Sequence, residues 1–163
     1  MQLIFVVEAS KESKSDYVYI TETVEKYYNV LGHKLKPIFM DGKGNFNKKE
    51  TEINKNISKY NGKSKVFICY DIDNPNKPTY SLNQDIINYA NNKGYELIWF
   101  YEDVELVYWK KSVSKSEKTK QSKKFLSQNQ IKNILENDLN QITISKNNSS
   151  NILNVLDQHL SRK

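Results

Sequence analysis

Lys65-Val66-Phe67-Ile68-Cys69-Tyr70-Asp71-Ile72-Asp73 is the stretch that decides the fold. Residues 66–70 form an unbroken apolar run, short and rich in β-branched and aromatic side chains. Such a run reads as a strand covered on both faces, as in a parallel sheet. It stops at two acids, and Asn74-Pro75 then opens a loop. Three more stretches are strand candidates. Residues 3–7 run apolar into Glu8. Residues 35–40 run into the turn Asp41-Gly42-Lys43-Gly44-Asn45. Residues 95–100 run into Tyr101-Glu102-Asp103.

Helical spacing fills the gaps. Residues 15–31 place Tyr17, Ile20, Val24, Tyr27, Tyr28 and Leu31 on one face, with Gly32 as a stop. Residues 48–60 carry only a narrow stripe of Ile53, Ile57 and Tyr60. Residues 81–92 place Leu82, Ile86, Ile87, Tyr89 and Ala90 inward, with Ser81 as N-cap and Gly94 as stop. A short aromatic helix or turn follows at residues 104–109. Residues 112–124, dominated by Lys and Ser, read as a flexible loop or an exposed helix start. Phe125, Leu126, Ile131, Ile134, Leu135 and Leu139 predict a further helix, and residues 149–160 a terminal one. Strict alternation of strand and helix predicts an α/β fold: a parallel four-stranded sheet flanked by helices, Rossmann-like, with a helical C-terminal extension. Residues 1–111 form the α/β domain in this reading, and residues 112–163 pack on it.

A net charge of +6 favours polyanionic partners: nucleic acid, nucleotides or an anionic membrane surface. Lys supplies it; the single Arg is Arg162, so phosphate contact is expected rather than bidentate base reading. The same charge also suits a plain solubility surface. Cys69 has no partner for an intrachain disulfide. The opening residues lack the features of a signal peptide, and no apolar stretch approaches the ~20 residues of a membrane span. A cytoplasmic protein without a membrane partner is the expectation.

In parallel sheets, functional groups gather at the carboxyl ends of the strands. Here three strands end in acid: Glu8, then Asp71 and Asp73, then Glu102 and Asp103. Carboxylates on neighbouring strand ends repel one another unless a cation lies between them. Mg²⁺ suits such a place, because it takes few carboxylates and keeps room for water and phosphate oxygens. The plain alternative is that Asp71 caps a turn, Asp73 is solvated and Glu8 caps the first helix. His33 and His159 stand alone, no Cys–His zinc spacing exists, and Gly42-Lys43-Gly44 is too short for a phosphate-binding loop.

Phe5-Val6-Val7-Glu8 and Phe67-Ile68-Cys69-Tyr70-Asp71-Ile72-Asp73, with Phe39-Met40-Asp41-Gly42-Lys43-Gly44 between them, resemble a TOPRIM domain, the metal-binding fold of topoisomerases, primases and OLD-family nucleases. Glu8-Ala9-Ser10-Lys11-Glu12 and Val104-Glu105-Leu106-Val107-Tyr108-Trp109 are similar to the opening and the aromatic box of the compact RloB-like proteins of bacterial defence islands. Ala9 stands where that opening has glycine, the box matches loosely, and residues after 112 match no pattern. The resemblance implies a Mg²⁺-dependent (or Mn²⁺-dependent) nuclease of phage defence. Glu8 would serve as general acid/base or metal-facing carboxylate, and Asp71 and Asp73 would ligate the metal. Glu12 and Glu105 would assist, and Lys110 and Lys111, or lysines in 115–124, would hold the nucleic-acid backbone. Two other readings compete. One is a non-catalytic module of the same fold that binds nucleic acid, a partner protein or a second copy of itself. The other is a phosphatase of the haloacid dehalogenase type, whose DxDx(T/V) motif Asp71-Ile72-Asp73-Asn74 begins to match, although Pro75 breaks it.

Overall fold

The computed structural model describes residues 1–144 and 147–163. Strands β1 (Gln2–Val7), β2 (Lys34–Phe39), β3 (Ser64–Asp71) and β4 (Glu96–Phe100) are all parallel and lie in the order β2-β1-β3-β4. Helices α1 (Ser15–Tyr27), α2 (Glu50–Lys59) and α3 (Leu82–Lys93) connect them, and α4 (Val104–Trp109) follows β4. Beyond these come α5 (Lys118–Ser127), α6 (Glu136–Leu139) and α7 (Ile152–Leu156). The chain is thus an α/β protein with a parallel four-stranded sheet flanked by helices. Among the described residues no helix is long and apolar enough to cross a membrane.

The pleat divides the strand side chains between two cores. Leu3, Phe5, Val7, Phe67, Cys69, Ile98 and Phe100 face one side and meet α1, α4 and the C-terminal helices. Ile4, Val6, Ile38, Val66, Ile68, Tyr70 and Trp99 face the other and meet Ile53 of α2 and Ile86 and Ala90 of α3. Both faces are covered, which is why β1 and β3 read as continuous apolar runs. The chain leaves β1 toward β2 on one side and later returns to place β3 on its other side. The crevice at the carboxyl ends of β1 and β3 is therefore the topological switch point, the usual place for a ligand.

The two sheet edges are protected in different ways. Edge strand β2 carries Lys34, Lys36 and Pro37, residue types that discourage further pairing. Edge strand β4 is covered by residues 149–151. Asn151 accepts the Trp99 amide at 2.8 Å and donates to the Leu97 carbonyl at 3.0 Å, and the Ser150 hydroxyl donates to the Trp99 carbonyl at 2.6 Å.

Several expected elements end elsewhere, for tertiary reasons. The helix expected over 15–31 stops at Tyr27, because Tyr28 turns extended and bridges to Arg162. Its hydroxyl donates to Leu153 and Asp157. Leu31 lies in solvent as a result. Ser81 makes no side-chain cap; its hydroxyl donates to the Pro78 carbonyl, within the 3-10 turn Pro78–Ser81 that precedes α3. The helix expected over 125–139 is broken at Asn129, which adopts a left-handed backbone, and gives way to a 3-10 turn and then α6. Lys26 fixes that break by donating to the Ile131 and Ile134 carbonyls. The terminal helix is only the five residues of α7. The Lys/Ser segment is largely structured, with a 3-10 turn at Lys115–Glu117 followed by α5.

Phe125 of α5 is fully buried between Tyr19, Tyr108 and Trp109, with ring centroids 4.9, 5.6 and 5.7 Å away. Phe125→Ala is therefore expected to cost about 3–5 kcal/mol in urea unfolding. The neighbouring Leu126→Ala, at an exposed position, should cost about 0.5 kcal/mol or less. Equal, small effects would show that α5 does not belong to the common core.

Candidate active site

Asp71, the last residue of β3, joins the carboxyl ends of the sheet. Its amide donates to Glu8 Oε1 at 2.8 Å, just past β1. Its own Oδ1 accepts the Val104 amide at 3.0 Å, at the start of α4. Its carbonyl accepts Lys43 Nζ from the turn after β2. Groups that follow the other three strands thus meet at the end of β3. Glu8 does not cap α1, whose N-terminal boundary residue is Lys14 with no side-chain cap.

Asp16, in the first turn of α1, closes the same region. Its Oδ2 accepts the Ala9 amide at 2.8 Å, and its Oδ1 accepts the Ser15 hydroxyl at 3.0 Å. Glu8, Asp16, Asp41 and Asp71 line one cleft of about 490 Å³, together with Lys115 and Lys118 from the C-terminal segment. Glu105 of α4 is fully buried nearby. Its Oε2 lies 2.8 Å from Lys118 Nζ, at ion-pair distance but without hydrogen-bond geometry, and its Oε1 has no hydrogen-bond partner.

Asp73 goes elsewhere. On a straight strand it would share a face with Asp71, but its left-handed backbone (φ 64°) turns it aside. Its carboxylate accepts Lys43 Nζ at 2.9 Å, Thr79 Oγ1 at 2.8 Å and Lys77 Nζ at 3.2 Å. Lys43 is itself buried. It reaches this position because Asp41 and Gly42 adopt positive φ (56° and 107°) and swing the turn inward.

The remaining residues singled out in the sequence are dispersed. Glu12 is exposed and lies beside Lys11 and Lys49, outside the cleft lining. Lys110 pairs with Asp138 at 2.8 Å, and Lys111 lies over the Trp109 ring at 5.7 Å. Asp103 caps α4 by accepting the Leu106 amide. Asp16 carries no sequence signal, and the sequence marks Lys118 only as one of the lysines in 115–124. Asp16 looks like an ordinary first-turn helix acid, and Lys118 is one of several lysines in a polar run.

Electrostatics separate Asp73 from the others. Burial pushes the Glu8 carboxyl up to about 8; Asp16 and Asp73 add to this, while the Asp71 amide and Lys43 oppose it. Burial, then Glu8, Asp16 and Glu105, hold Asp71 well above the usual carboxylate range, with Lys118 opposing. Burial raises Asp16 and brings Glu105 to about 7, again against Lys118. Burial would raise Asp73 too, but Lys43, Thr79 and Lys77 outweigh it and hold that carboxyl low. The cleft therefore carries more acid than its own cations neutralise, whereas Asp73 is satisfied.

Among the described residues no group of three or more His, Cys, Asp and Glu side chains is arranged to hold a metal ion. Glu8 and Asp71 remain as a pair of carboxylates in an open cleft. Such a pair fits Mg²⁺, which usually binds through one or two carboxylates and fills its shell with water and phosphate oxygens. In comparison with known proteins, the chain matches no family model, no curated protein and no solved structure.

Two measurements follow from these charges. The folded-state value of Glu8 lies above its unfolded value. The stability carried by its protonated form is therefore complete below about pH 4.5 and is lost as pH rises toward about 8. In metal-free buffer the melting temperature should fall between pH 5 and 8, and Glu8→Gln should flatten that fall; an unchanged slope refutes the assignment. Separately, Asp73→Ala leaves buried Lys43 unpaired and is expected to cost about 3 kcal/mol in urea unfolding. A loss below about 0.5 kcal/mol would show that the pair is not structural.

Proposed function

We propose that this cleft is the active centre of a divalent-metal-dependent phosphodiesterase acting on nucleic acid, with Mg²⁺ or Mn²⁺ as its cofactor. One observation carries the reading. Glu8 and Asp71 project from neighbouring strands at the topological switch point into one open cleft, where burial and mutual repulsion leave an excess of acid. The likeness of these same strand ends to a TOPRIM domain supports it, as does the net charge of +6.

Glu8 and Asp71 are the residues that would hold the ion. When bound, a divalent ion would neutralise phosphate charge and lower the pKa of an attacking water. The chain's own groups supply the rest. Asp71 fixes Glu8 through its amide on Oε1, which leaves Oε2 as the oxygen to take up or release a proton. In the metal-free cleft that carboxyl lies at about 8, so near neutral pH an arriving ion would displace its proton. Lys115, on the cleft lining, meets a phosphate as a point charge. Lys43 and Asp73 hold the turn after β2 against β3 and so keep the floor of the cleft in place.

A second reading, a non-catalytic module of the same fold, draws on Lys118, whose ammonium already sits among the acids. One assay separates the two. Purified protein is incubated with plasmid DNA, single-stranded DNA and RNA in Mg²⁺, Mn²⁺ or EDTA. Cleavage is expected only with metal, and Glu8→Gln and Asp71→Asn should each lower the rate about 100-fold or more. Full activity in either variant overturns the assignment. Nucleic-acid binding that persists in EDTA without turnover favours the module.

A further inference from the structure

Lys118 is the first residue of α5, directly after the 3-10 turn Lys115–Glu117, and it lines the cleft. It lies 2.8 Å from the fully buried Glu105. Burial alone would favour a neutral amine, but Asp71, Glu105 and Asp16 outweigh it and keep the ammonium charged. One cation thus answers to several carboxylates. The fit is incomplete, because Glu105 Oε1 stays buried with no hydrogen-bond partner. An optimised buried pair would satisfy its remaining oxygen. Nearby lysines differ: Lys123 is exposed on α5, and Lys110 pairs with Asp138 outside the cleft.

We propose that Lys118 is a tethered counter-ion that competes with a divalent cation for the acidic cleft, so that the segment of residues 112–118 acts as a strap that must release its lysine before the ion is held. This inference rests on the metal reading given above. Its physical basis is simple. An ammonium and a divalent ion within a few ångströms repel strongly in a partly buried site. Meanwhile the carboxylates cannot be left bare without protonation or loss of stability. The lysine keeps the empty cleft folded, and the ion, on arriving, takes over the same charges. The strap is suited to moving: Lys115 and its neighbours are mostly exposed, and α5 is anchored beyond them by buried Ser122 and Phe125.

The test is Mn²⁺ binding, followed by calorimetry and by the electron paramagnetic resonance signal of the free ion, with no nucleic acid present. Lys118→Met should bind Mn²⁺ at least tenfold more tightly than the unaltered protein. Lys118→Arg, which keeps the charge, should show no gain, and Lys123→Met should behave as the unaltered protein does. Equal or weaker binding by Lys118→Met, with Mn²⁺ still bound at the cleft, overturns the competition but leaves the metal reading intact. No Mn²⁺ binding by any form overturns both. Hydrogen exchange on the unaltered protein serves if Lys118→Met does not fold. Mn²⁺ should speed exchange over residues 112–118 while slowing it at the ends of β1 and β3. Slower exchange in both places would mean that the strap closes with the ion, contrary to the proposal.

Discussion

The amide of Asp71 donating to Glu8 is the contact on which the carboxyl end of the sheet depends. It is a hydrogen bond from a backbone group to an acid, so it stabilises the charged carboxylate even though burial disfavours it. The side chain of the same residue holds the amide that begins α4, and its carbonyl receives Lys43. The loops after β1, β2 and β4 are thus positioned by one residue at the end of β3. Moving Asp71 by even a small distance would disturb all of them, which is why the crevice between β1 and β3 is well defined although loops build it.

The two aspartates of Asp71-Ile72-Asp73 divide the labour. Asp71 faces the cleft, and burial with its acidic neighbours holds its carboxyl well above the usual range. Asp73 turns away and is neutralised by Lys43, Lys77 and Thr79. The glycine turn after β2 explains the difference, because it delivers Lys43 to Asp73 rather than to the cleft. A motif of two like residues therefore yields one cleft-lining acid and one strut.

The sheet was legible because β1 and β3 are buried on both faces and contain little besides apolar residues. The acids at their ends were legible for the same reason, since an abrupt change of polarity marks a strand's end. The partners of those acids were not. Asp16 reaches the cleft by folding of the β1–α1 loop, and Lys118 comes from the C-terminal segment, far along the chain from both strand ends. Periodicity within a segment says nothing about either. The early end of α1 at Tyr27 and the break at Asn129 likewise answer to distant groups, Arg162 and Lys26. Local pattern reads local burial; it does not report what arrives later from elsewhere in the chain.

The cover on β4 has a consequence for how the molecule comes into being. The hydroxyl and amide that shield this edge belong to Ser150 and Asn151, and 51 residues separate Ser150 from the Trp99 carbonyl that it serves. A ribosome would finish the whole sheet well before those two side chains emerged. During that interval the nascent polypeptide would present a bare row of amides and carbonyls, open to mispairing with other growing chains.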